Sequence, residues 1–165
     1  MVYVLIAFVM LLVIGPVLML RPTEREKRQM RLRECARSHQ VTVQPLFLRR
    51  NKQYSGLLER NPHLEEYHWF RYQLVAKEEQ TGPAIKGEWV QRKTREGKLI
   101  WEPRDIQQPS SDVVDRLLQQ WHAQQSVDFL SLELGPRSVT IVWNERGDLA
   151  EAEALCTELS ALIEA

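Results

Sequence analysis

Residues 66–77 read EYHWFRYQLVAK, and their alternation decides how the rest of the chain is read. In an extended chain successive side chains point to opposite faces. His68, Phe70, Tyr72, Leu74 and Ala76 then share one face, and Tyr67, Trp69, Arg71, Gln73 and Val75 the other. This period of two is the strongest strand signal in the sequence. Asn61-Pro62 marks a turn before it and Thr81-Gly82-Pro83 breaks it after.

Working outward, VTVQPLFL at 41–48 alternates as a strand, and Pro45 suggests an edge position or a bulge. GEWVQRK at 87–93 and KLIWE at 98–102 read as a hairpin about Thr94-Arg95-Glu96-Gly97. A helix starts near Ser111, with Val113, Val114, Leu117, Leu118 and Trp121 on one face. VDFLSLEL and SVTIVW form a second hairpin about Gly135-Pro136. Asp148 and Glu151 open a last helix whose Leu149, Ala152, Leu155, Cys156, Leu159 and Leu162 turn inward. The order predicts an α+β fold over 41–165, two helices packed on one face of an antiparallel sheet.

The N-terminus differs in kind. Residues 1–20 contain no charged side chain and thirteen Leu, Ile, Val or Phe. Twenty helical residues span about 30 Å, the hydrocarbon thickness of a bilayer. Seven Lys/Arg lie in 21–37, none precedes the run, and no small-residue cleavage site follows it. These features predict an uncleaved transmembrane helix at 1–20 in a bacterial-type inner membrane. The N-terminus is expected outside and the following domain in the cytoplasm.

Residues 21–40 read as a basic juxtamembrane helix entered through the capping box Thr23-x-x-Glu26. Arg21, Arg25, Lys27 and Arg28 are the basic residues nearest the apolar run, hence the candidates for binding the bilayer surface and its anionic lipids. Leu32, Cys35, Ala36 and His39 recur as a narrow stripe able to dock on the next domain. The span ending in LRP, followed at once by TEREKRQMRLRE, resembles the start of the YajC family, the small accessory subunit of the bacterial preprotein translocase. The resemblance covers roughly residues 1–40 and implies one span, a basic helix and a small β-rich cytoplasmic domain. Thr23 stands where the family usually has Gln, and VTVQPLFLRRNKQYSG replaces its glycine-rich strand pair.

Charge divides the chain as well. Residues 21–50 hold nine Lys/Arg against three Asp/Glu, a net +6, and residues 51–165 hold thirteen against nineteen, a net −6. An acidic main domain argues against a nucleic-acid partner. His63 and His68 bracket Glu65 and Glu66 in HLEEYH, but this is not metal-ligand spacing on one helix face. Cys35 and Cys156 are too few for a disulfide scaffold. No phosphate loop, dinucleotide fingerprint or nucleophile elbow occurs. The expectation is therefore an accessory domain that binds a membrane or cytoplasmic protein, without catalysis, cofactor or metal. The alternative is a membrane-tethered enzyme with an unrecognised site. The final helix carries five Asp/Glu from 148 to 164 and no Lys/Arg, which makes it one candidate contact surface.

Overall fold

The computed structural model describes Tyr3, Met10 and residues 22–80, 82–93, 99–105, 112–123 and 129–164. Among the described residues thirteen elements form around one sheet: α1 (Glu24–Ser38), β1 (Thr42–Leu46), 3-10 turns at Leu48–Arg50 and Lys52–Tyr54, α2 (Ser55–Arg60) and a 3-10 turn at Pro62–Glu66 come first. After these come β2 (Trp69–Val75), β3 (Gly87–Lys93), β4 (Leu99–Pro103), α3 (Asp112–Ala123), β5 (Phe129–Leu134), β6 (Ser138–Trp143) and α4 (Leu149–Glu164). The six strands are antiparallel in the order β1-β2-β6-β5-β3-β4. The expected strands and both expected helices of the α+β domain are present. The connection 94–98 and the first residues of the predicted helix at 111 lie outside the described residues.

The alternation in β2 sorts the two sheet faces. Tyr72 faces Ile141 and Leu74 faces Val139 across the ladder. These join Leu132, Leu134, Trp143 and the inner sides of α1, α3 and α4 in the main core. Trp121 stacks on Phe129 with ring centroids 5.0 Å apart. The opposite row behaves differently from a solvated face. Trp69, Val142 and Leu130 pack there against Leu48 and Tyr54, with Leu57, Leu58 and Leu64 around them. The 48–66 segment thus covers part of the second face, whereas the sequence reading placed its two packing helices on one face only.

The caps predicted at both long helices form. Glu26 N donates to Thr23 Oγ1 at 3.3 Å while Thr23 N donates to Glu26 Oε2 at 2.7 Å. Glu151 N and Asp148 N make the equivalent exchange at 2.9 Å each. The stripe on α1 docks as expected, because Leu32 and Ala36 are fully buried in the main core. Leu149 departs from expectation: it sits in the first turn of α4 and is exposed.

The membrane readings are corrected. Residues 1–20, other than Tyr3 and Met10, and Arg21 lie outside the described residues. Among the described residues no helix is long and apolar enough to cross a membrane. A bilayer needs about 20 apolar residues. The fifteen residues of α1 include nine charged ones, and α4 has sixteen residues. The transmembrane helix, the single-pass description and the inner-membrane location with an outside N-terminus are therefore not supported. What stands is an α+β fold with an antiparallel six-stranded sheet.

Candidate functional site

Four positions were singled out by sequence for a membrane surface. Of these, Arg25, Lys27 and Arg28 are exposed on the first two turns of α1. Lys27 Nζ lies 2.7 Å from Glu24 Oε1, so part of that charge is matched within the helix. None of the three lines the cavities formed by the described residues at 52–60, 38–40 or 80–86. The HLEEYH residues also fail to converge. His63 Nδ1 contacts Glu66 at 3.3 Å, whereas Glu65 accepts from Arg49 Nε at 2.6 Å, and that ion pair lowers the Glu65 pKa. Among the described residues no group of three His, Cys, Asp or Glu could hold a metal ion.

A site that the sequence did not disclose lies on the second sheet face. The apolar cluster under the 48–66 segment spans β2, β6 and β5, and among the described residues the segment meets the outer strands β3 and β4 through polar contacts of Gln53. Between the 52–60 stretch and these two strands runs a groove of about 490 Å³. Its size falls within the ordinary range of ligand pockets, roughly 300–1,000 Å³. Lys52 and Arg60 stand on one wall, and Arg92, Arg104 and Glu102 on the other, with Val90 on the floor. The walls are held by defined contacts. Gln53 Nε2 donates to Glu88 Oε1 at 2.9 Å, Arg104 Nη1 donates to the same oxygen at 2.5 Å, and Arg104 also donates to the Gln53 carbonyl. Arg92 Nη1 donates to Glu102 Oε2 at 2.6 Å. Beneath the wall Tyr54 is buried, its hydroxyl 2.9 Å from Ser131 Oγ, and burial raises its pKa.

Four cations thus face two carboxylates, Glu88 and Glu102. Lys52 and Arg60 form no ion pair among the described residues, and both are exposed. The groove presents an electrostatic preference for anions within hydrogen-bonding reach of guanidinium forks. Gly56 on its rim adds no side chain, and a Cβ there would meet nothing within 4 Å.

A second polar cluster is structural. Glu145 is fully buried with φ +54°, and it accepts from Arg33 Nε at 2.9 Å, Arg33 Nη2 at 2.7 Å and the Tyr72 hydroxyl at 2.9 Å. Arg33 also lies over the Phe70 ring, 4.2 Å from its centroid. Burial and the Glu145 carboxylate push the Tyr72 phenol far above its ordinary range, and the same carboxylate raises Arg33. This cluster ties α1 to the sheet. The acidic α4 is not a free surface throughout, because Glu158 turns back to accept from Trp121 Nε1 and from Gln120 Nε2.

The class that fold and site define is an α+β protein with one antiparallel sheet and a basic groove on one face. No family model matches the chain, and no curated protein or solved structure matches it. The resemblance to the YajC family is neither supported nor opposed by these comparisons.

Proposed function

We propose that this chain is a binding module whose groove takes an acidic segment of a partner protein. The observation that carries the reading is the pair Lys52 and Arg60, two unmatched cations facing Arg92 and Arg104 across about 490 Å³. A nucleic acid fits less well. Its phosphates repeat without interruption and want an uninterrupted basic track, whereas Glu88 and Glu102 interrupt this one. Single strands also call for aromatic platforms, and the tyrosine of this wall is buried with its hydroxyl on Ser131. A peptide can place its carboxylates at intervals and leave neutral residues opposite Glu102.

The test is fluorescence anisotropy of the full-length protein with a labelled ten-residue peptide of alternating Glu and Thr. Binding should weaken at least tenfold between 50 and 300 mM salt, as the screening length falls from about 14 to about 6 Å. It should weaken at least tenfold again in the Lys52→Glu/Arg60→Glu variant, whose fold is checked by circular dichroism. No binding, an unchanged variant, or tighter binding of a single-stranded oligonucleotide of equal charge would overturn the reading.

A further inference from the structure

The groove opens toward β4, the last strand of the sheet, and that strand has a free outer side among the described residues. The direction of its backbone groups follows from one hydrogen bond. Arg104 N donates to Glu88 O at 2.8 Å, and the register continues Trp89↔Pro103, Val90↔Glu102, Gln91↔Trp101, Arg92↔Ile100. Bonded and non-bonded pairs alternate in an antiparallel ladder. Ile100 and Glu102 therefore spend their backbone groups on β3, while Leu99, Trp101 and Pro103 turn theirs outward. Pro103, which has no N–H, stands where none is needed by β3.

The two ends of the sheet are not alike. At β1, Pro45 removes a donor near the middle of the strand and α1 packs alongside. At β4, the residues Leu99, Ile100 and Trp101 favour extended pairing, and Leu99 and Ile100 are 38 % and 37 % exposed. The indole N–H of Trp101, on this same strand, is buried without an acceptor among the described residues. Exposed apolar edge strands are ordinarily blunted by charge, proline or a covering element. This one carries Glu102 and Pro103 only at its C-terminal end, and it adjoins a cationic groove.

We propose that β4 receives the partner's acidic segment as a seventh strand. The backbone of the segment pairs with Leu99 and Trp101, and its alternate side chains place carboxylates at the mouth of the groove, toward Arg104, Arg92, Lys52 and Arg60. Backbone pairing supplies affinity without regard to sequence, and the groove selects for charge. The proposal rests on the groove reading above, and it names the form in which the partner binds.

In an added strand only every second residue turns its N–H toward β4. Two versions of the Glu/Thr peptide are therefore compared on unaltered full-length protein, one N-methylated on every Glu and the other on every Thr. Strand addition predicts that one version loses at least tenfold in affinity while the other stays within about twofold of the parent peptide. Equal affinity of the two versions overturns strand addition. If the Lys52→Glu/Arg60→Glu variant still loses binding in that case, the groove reading stands without it. If that variant binds as the parent protein does, the groove reading fails, and a difference between the methylated versions would then support the edge alone. Failure of the parent peptide to bind overturns both.

Discussion

Replacing Glu145 tests whether α1 is held to the sheet by a buried ion pair. Glu145→Ala removes the acceptor of two Arg33 N–H groups and of the buried Tyr72 hydroxyl at once. Breaking a buried pair by deleting one partner costs about 3–5 kcal/mol. The Arg33 side chain keeps 32 % of its surface in water, so its stranded charge is partly solvated and the lower end of that range applies. Residue 145 has φ +54°, a conformation that costs alanine roughly 1 kcal/mol, much as it costs glutamate, so the backbone adds little to the difference. About 3 kcal/mol corresponds to a fall in Tm of roughly 6–12 °C for a chain of this size. Arg33→Met should cost at least as much, because it strands a carboxylate with no exposure at all. The double variant Arg33→Met/Glu145→Leu should recover part of the loss. Urea denaturation of the four proteins gives the cycle. Losses below about 1 kcal/mol for both single variants, or strict additivity in the double variant, would refute the account of this cluster.

Burial raises the Glu158 pKa, against the opposing hydrogen bond from Trp121. The folded state thus binds that proton more tightly than the unfolded chain, and the contribution to stability is full below the unfolded carboxylate pKa and lost as pH rises through the folded one. Glu158→Gln should therefore flatten the pH dependence of Tm across that interval, and an unchanged slope would contradict it. Gly82 has φ +81°, and a Cβ there would lie 2.5 Å from the Pro136 carbonyl oxygen, so Gly82→Ala should cost more than about 1 kcal/mol in denaturant titration. The Cys156 thiol is pushed up to about 12 by burial and by the Cys35 thiol beside it. Iodoacetamide at pH 7 should leave Cys156 unlabelled in the native protein and label it only after unfolding, as read by peptide mass; rapid native labelling would contradict its placement in the core.

What the sequence made legible was local. The alternation of β2 and the caps Thr23–Glu26 and Asp148–Glu151 each lie within a few residues, and all three are realised. The strand order was not legible, because β3 pairs with β5 and β2 with β6 across long stretches of chain. Leu48, Tyr54 and Leu64 form a second small core from 3-10 turns, whose spacing imitates neither a helix nor a strand. Arg33 looked like one more solvated charge in a basic helix, and its partner stands 112 positions away. The groove is assembled from residues 52–60, 90–92 and 102–104, so its charges come together only once β3 and β4 fold under the 48–66 segment. The one signal in the sequence was the basic content of these stretches, and an overall acidic domain concealed it.

The central claim is that the groove, and no other basic surface, receives an acidic segment. Amide chemical-shift mapping of the full-length protein titrated with the Glu/Thr peptide tests it directly. The account predicts saturable shifts at Lys52–Arg60, Val90–Arg92 and Leu99–Arg104, with α1 unaffected. Shifts centred on Arg25, Lys27 and Arg28, or spread evenly over every exposed cation, would contradict it.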